Sequence, residues 1–261
     1  MSKLKAIAFL ILFSLPFISF SQGGISHSIG VEAGAVQFRS DYGQRNDFET
    51  NIKNTGFGIT LIDYMNFSYM NFNNNYFAQH FRVRNELSYI KSDLQHYGEW
   101  TEKNSLGSKL LKEMRGSTQI FSFGSMLEYS FVHIHDFERT SNSFAPFIGI
   151  GPQISFYSAT ATSTLGNLGT ADTTPTKYLT SSDGHPYGFS NENKAVFSIA
   201  LNLGTRYKLS PLSDLIFNVK AQYFNSDWVD GLNPNKEIYD ENKNNDWLTY
   251  IGVGYIYYLS E

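Results

Sequence analysis

Trp247-Leu-Thr-Tyr-Ile-Gly-Val-Gly-Tyr-Ile-Tyr-Tyr-Leu259 alternates with a period of two. Its odd positions Trp247, Ile251, Val253, Tyr255, Tyr257 and Leu259 are large and apolar or aromatic, whereas Gly252 and Gly254 stand among the even ones. This is the pattern of a β-strand with one greasy face. A soluble β-sheet would fill the other face with Val or Leu. A strand that is apolar outward and small or polar inward is how a membrane barrel reads.

Seven earlier runs share the period. Ile25, Ile29, Val31, Ala33 and Ala35 alternate with Ser26, Ser28, Gly30, Glu32 and Gly34, and Phe81, Val83, Leu87 and Tyr89 alternate with Arg82, Arg84, Glu86 and Ser88. Further runs start at Phe57, Phe121, Ile148, Phe197 and Leu215, which brings the strands to eight, an even number as in single-chain bacterial barrels. The fold class expected is therefore all-β: an eight-stranded antiparallel up-and-down transmembrane β-barrel. A soluble periplasmic β-sandwich is the alternative.

The connections support the barrel. Those centred near residues 47, 104, 176 and 235 are long and polar, and those near 72, 138 and 212, the first at the Asn71 to Asn75 cluster, are shorter, so long and short alternate strictly. Barrels keep long loops outside and short turns with both termini in the periplasm. Leu106 to Arg115 predicts a short helix in the second long loop, capped by Ser108 and stopped by Gly116. Ala159 to Asn193 reads as one long external loop. Tyr89, Tyr129, Phe131, Tyr157, Tyr223 and Trp247 fall near strand ends, as interfacial aromatics do.

The chain has 261 residues, no cysteine and a formal charge of −4. Sixteen per cent aromatic residues, with a mean hydropathy of −0.28, fit amphipathic strands and not a helical membrane protein. Lacking cysteine, the chain has no disulfides and no thiolate metal sites. Residues 1–21 read as a secretory signal peptide: Lys3 and Lys5, an apolar run from Ala6 to Phe20, then Ser19-x-Ser21 before Gln22. Cleavage after Ser21 leaves residues 22–261 as one barrel domain, directed to the outer membrane.

Candidate sites follow from side-chain direction. Glu32, Arg82, Arg84, Glu86, Glu128, Arg206 and Lys220 point inward from several strands, and an eight-stranded barrel is just wide enough for side chains to fill. A plug of paired ions is the first reading of this network. A narrow ion or proton path is the second. In the last loop, Asp227, Trp228, Asp230, Asn233 and Asn235 form a candidate partner or cation surface, with Asp240, Glu241 and Asp246 nearby, although Asp227-x-x-Asp230-Gly lacks EF-hand spacing.

His133-x-His135-Asp136 reads as solvated surface at a turn. Ser26, His27 and Ser28 stand at the periplasmic start of the first strand without an evident acid partner. Gly149-x-Gly151 and Gly252-x-Gly254 open no helix, so small inward residues explain both. No catalytic residue, cofactor or metal is expected, and no basic stripe suits nucleic acid. The partners expected are outer-membrane lipid, the barrel-assembly machinery and a protein contacted by the external loops.

The spacing Tyr250-x-Gly252-x-x-Tyr255-x-Tyr257 resembles the C-terminal signal that directs outer-membrane barrels to assembly, although Ser260 and Glu261 follow it. With Ser21/Gln22, Phe144-Ala-Pro-Phe-Ile-Gly-Ile-Gly151 and Gly204-Thr-Arg-Tyr207, the mature chain resembles the small eight-stranded outer-membrane barrels of Bacteroidota, of OmpA and PorT type. Trp228-Val-Asp-Gly-Leu-Asn-Pro234 and Asn245-Asp-Trp247 resemble a flavobacterial group. The resemblance implies a fold and a location. It leaves two functions: a non-catalytic barrel contacting the envelope or a partner, within a secretion or barrel-assembly complex, or a lipid-modifying enzyme. In either, the last strand pairs with Ile25 to Val36, and Gly252 and Gly254 make room for the inward arginines.

Overall fold

The structure, a computed structural model, describes residues 25–42, 47–67, 75–239 and 245–259. The signal-peptide reading, the Ser21/Gln22 site, most of the Asn71 to Asn75 cluster, Asp240, Glu241 and the Ser260-Glu261 end lie outside the described residues.

Eight strands form one closed antiparallel barrel in chain order. They are β1 (Ser26–Arg39), β2 (Thr55–Asn66), β3 (Phe81–Gln95), β4 (Met114–Ser130), β5 (Phe144–Ser163), β6 (Glu192–Ser210), β7 (Ser213–Phe224) and β8 (Trp247–Tyr258). The register from Ser28↔Tyr258 to Arg39↔Trp247 joins β8 to β1, so the sheet has no free edge and is no sandwich of two sheets. Closure matters in lipid, where an unpaired strand edge has no water to bind. Among the described residues no helix is long and apolar enough to cross a membrane.

Side-chain alternation is as the sequence predicts. Ile29, Val31, Phe57, Leu61, Phe121, Ile150, Leu203, Phe217 and Ile251 lie exposed on the exterior, while the intervening residues are buried inside. An apolar exterior around a polar interior inverts a soluble protein and makes the outer surface the lipid-facing one.

The rim is uneven. At the long-loop end β7, β8, β1 and β2 stop at Phe224, Trp247, Arg39 and Thr55, whereas β3 to β6 continue to Gln95, Met114, Ser163 and Glu192. Above Tyr89, Phe121 and Phe156 the outward residues turn polar: Lys91, Asp93 and Gln95 on β3, Gln119, Ser117 and Arg115 on β4, and Ser158, Thr160 and Thr162 on β5. These extensions shorten the polar connection centred near residue 104 and overturn the reading of Ala159 to Asn193 as one loop, because polar outward residues carry the strand alternation on above the apolar band.

Among the described residues five short α-helices decorate the ends: α1 (Phe48–Ile52), α2 (Tyr76–His80), α3 (Glu99–Glu102), α4 (Leu106–Glu113) and α5 (Ile134–Arg139). The predicted helix of the second long loop is α4. Its cap is Ser105, whose hydroxyl accepts from the Ser108 amide, and it ends at Met114 where β4 starts. Two connections read as simple turns carry α2 and α5. Ile134 and Phe137 of α5 are buried, so this helix packs into the short-turn end. Tyr157, expected among the interfacial aromatics, points inward.

Candidate functional site

The lumen is layered. Toward the short-turn end lie the charges, and every one predicted from the sequence is inside and buried. Arg84 is the first centre: its guanidinium is 3.1 Å from Glu32 Oε2 and 2.5 Å from Glu86 Oε1, and it donates to Tyr64 Oη at 2.7 Å. Glu86 also accepts from Lys220 Nζ at 3.0 Å and Gln153 Nε2 at 2.9 Å, and Glu32 from Asn218 Nδ2 at 3.0 Å. Glu128 is the second centre, 2.9 Å from Arg206 Nη2 and 3.6 Å from Arg82 Nε. Arg206 stacks over Tyr64 at 3.9 Å.

Six further residues of this network were not singled out in the sequence. Asp214 forms an ion pair with Lys208 Nζ at 3.1 Å and accepts from Tyr258 Oη at 2.6 Å, Tyr64 bridges the two centres, and Glu138 on α5 accepts from Asn66 at 2.8 Å. With them the buried lumen cations Arg82, Arg84, Arg206, Lys208 and Lys220 equal in number the carboxylates Glu32, Glu86, Glu128, Glu138 and Asp214. The parity that places Arg206 inside also places Lys208 there. Asp214 follows Ser210-Pro-Leu-Ser and reads as turn, yet it shares parity with Ile216 and Asn218.

A neutral layer lies above the charges. Gln222 Nε2 donates to Ser198 at 2.9 Å and Ser155 at 3.1 Å, and Ser155 is 2.8 Å from Ser122. Beyond it the interior is apolar, with Val36, Phe38, Ile90, Ile120, Val196, Phe224 and Leu248 packed together.

The last long loop closes this apolar mouth. Trp228, Val229 and Leu232 join the packed cluster, Thr118 Oγ1 donates to the Val229 carbonyl at 2.6 Å, and Leu232 bridges to Phe189. Asp230 accepts from the amides of Asp41 at 2.9 Å and Leu232 at 2.7 Å, while its own amide donates to Asp246 at 3.1 Å. Burial first, then neighbouring carboxylates, holds Asp230 and Asp246 well above the usual carboxylate range. Burial likewise pushes the His96 imidazole down, with Lys177 adding to it.

This placement corrects the reading of that loop as a presented surface. Trp228, Asp230 and Asn233 are buried, Trp228 packs on His185, and Asn233 binds Asp183 at 3.0 Å. Asn235 donates to the Ser181 carbonyl, and Asp227 stays half-buried beside them. Among the described residues no three ligating side chains gather as a metal site would require.

The candidate assembly residues divide between the two faces. Tyr250 and Gly252 are inside, and Tyr255 and Tyr257 are exposed outside. A Cβ on Gly252 would overlap the Tyr250 ring, and one on Gly254 would overlap Glu32 Cγ. The glycines thus make room for a tyrosine and a glutamate; the arginines are reached only through Glu32.

His27, read as lacking an acid, has one: its Nδ1 is 2.9 Å from Asp63 Oδ1. Ser28 points into the lumen, and Ser125, which reaches this acid through Asn85, stands at the far side of Asp63 from the imidazole. Such an order does not place a hydroxyl for activation by His27. His133 pairs with Asp136 at 3.1 Å on the exposed side of α5.

No protein-family model matches the sequence, and neither does any curated protein. Among solved structures, Neisserial surface protein A is similar at 12% identity and a TM-score of 0.47, over 90% of this chain and 99% of that one. Ail, the attachment invasion locus protein of Yersinia pestis, is similar at 11% and 0.43, over 91% and 100%. A major outer membrane protein from Thermus thermophilus is similar at 16% and 0.46, over 89% and 99%. Superpositions this loose carry no ligand or activity over to this chain.

Proposed function

We propose that the chain is a non-catalytic, non-conducting outer-membrane barrel whose fixed long-loop surface contacts the envelope or a protein partner. The observation that carries this is the full lumen: charges, a serine layer, an apolar layer and the last loop fill it from α5 to the mouth. Function then falls to the outside. The wall of β3 to β6 lifts its loops above the apolar band, and a groove of about 880 Å³ lies between β3 and α4, lined among others by Lys53, His96, Lys103, Lys109 and Lys112.

The surface that serves a partner is this groove and not the loop at 227–235, whose side chains the barrel itself uses. A place within a secretion or barrel-assembly complex, in a flavobacterial envelope reached through a cleaved signal peptide, is the finer form of the proposal. It rests on the sequence resemblance. Isolation from native membranes in mild detergent tests it: another envelope component is expected to accompany the wild-type protein and to be lost from Lys109→Glu/Lys112→Glu. Recovery of this chain with no other component overturns the proposal.

A further inference from the structure

The lipid-facing exterior is not uniform. From Ile148 to Phe156 on β5, Phe197 to Tyr207 on β6, Leu215 to Tyr223 on β7 and Ile251 to Tyr257 on β8, every outward residue but Thr205 is apolar or aromatic, and the Thr205 hydroxyl bonds the adjacent Arg206 carbonyl. On β1 to β4 the band is crossed by four polar side chains bonded in a row. His27 Nδ1 lies 2.9 Å from Asp63 Oδ1, Asn85 Nδ2 donates to Asp63 Oδ2 at 3.0 Å, and Ser125 Oγ donates to Asn85 Oδ1 at 2.7 Å.

Strand register makes three of the four one line, which His27 joins diagonally from its place opposite Met65. Asp63 is paired with Asn85, and Asn85 with Ser125. The line lies within the apolar band: Asp63 follows Leu61, Asn85 sits between Val83 and Leu87, and Ser125 sits between Phe123 and Leu127 along the outward face of each strand.

Ionisable and amide side chains in hydrocarbon are costly and persist where a partner covers them. The internal bonds meet only part of the demand. A carboxylate offers about four acceptor positions, an amide nitrogen two hydrogens and a hydroxyl oxygen two lone pairs. Asp63 accepts two bonds, Asn85 uses one hydrogen for Asp63, and the rest face outward. Only a helix or another closed barrel can cover such a row within a bilayer.

The row mixes donors and acceptors along its length. That self-complementarity is what a two-fold interface between identical subunits requires. A partner of one charge would match one end only. We propose that the β2 to β4 face is the interface between two copies of this chain in the membrane, related by an axis along the bilayer normal. The two rows cross near Asp63 and Asn85, where each free amide hydrogen meets the carboxylate of the other copy.

The chain lacks cysteine, so single cysteines report the interface cleanly. Leu87→Cys, beside Asn85, is expected to give a disulfide-linked dimer on mild oxidation in native membranes, and Val219→Cys on the opposite wall is not. Wild-type protein in lipid nanodiscs is expected at twice the chain mass, and Asp63→Leu/Asn85→Leu as a folded, heat-modifiable monomer. Absence of the Leu87→Cys dimer, equal cross-linking from both positions, or a wild-type monomer in nanodiscs overturns the proposal. The partner reading of the loop groove is tested by different residues and survives any of these results.

Discussion

Arg84 Nη2 lies 3.1 Å from Glu32 Oε2, a bond that spans the lumen from β3 to β1, with both side chains about 1% exposed. Neither ion reaches water, so each depends on the other and on Glu86, Tyr64 and Asn218. Removing one partner of a buried pair leaves an uncompensated charge, a loss of about 3–5 kcal/mol. Glu32→Ala is expected to lower the unfolding free energy of the folded barrel in detergent by that order, read from a lower denaturant midpoint. Glu32→Gln/Arg84→Gln, which removes both charges, is expected to cost less; an Ala variant as stable as wild type would show that the pair is not buried.

The glycines of β8 give a steric prediction. Because a Cβ on Gly252 would overlap the Tyr250 ring, Gly252→Leu is expected to block folding, seen as loss of heat-modifiable mobility. Tyr250→Ala is expected to restore part of it. Gly254→Leu meets the Val31 carbonyl as well as Glu32, so removal of a side chain alone is not expected to rescue it. Normal folding of either leucine variant contradicts the packing.

The buried carboxyls of the mouth make closure pH-dependent. Asp230 and Asp246 are held above the ordinary carboxylate value when the loop is closed, so the closed state binds more protons than the open one. Stability of closure is therefore complete at pH below the ordinary carboxylate value and declines as pH rises above it. Hydrogen exchange across residues 226–239 is expected to be slower at pH 5 than at pH 8 after correction for intrinsic rates. Asp230→Asn/Asp246→Asn is expected to flatten that difference; slower exchange at pH 8 in the wild type would reverse the sign and refute it.

Two independent plugs predict silence in planar bilayers. Wild-type protein is expected to show no steady conductance. Trp228→Ala, which opens the apolar mouth, is expected to stay silent too, because the ion layer below it is intact. A stable open level in either protein would mean the lumen holds a continuous water path.

Much of this was legible from the period of two. Once lipid faces the outside, alternation assigns each strand residue to a face without further information, which is why the lumen charges can be named before any contact is known. The same rule held Lys208 and Asp214, but the Ser210-Pro-Leu-Ser213 turn beside them hid them; past the apolar band on the long-loop side, outward residues turn polar and a strand looks like a loop. That effect also shortened β3 to β6 in the reading. The row on β1 to β4 left a trace as well, since Asn85 and Ser125 interrupt otherwise apolar outward sets; nothing local links positions 40 residues apart in the chain.

The sequence by itself determined the strand number, the facing of nearly every side chain and the alternation of long and short connections, because period and turn chemistry are local. Only the tertiary structure decided pairing across space. It placed Glu32 against Arg84, His27 against Asp63 and the loop of Trp228 inside the mouth. Closing eight strands into a ring sets which inward side chains meet across the lumen and which outward ones share a rung, and those distances depend on register and curvature that no short stretch carries. The closing strand shows both halves: its alternation names Gly252 and Gly254 as inward, and the ring alone puts Tyr250 and Glu32 in the space they leave.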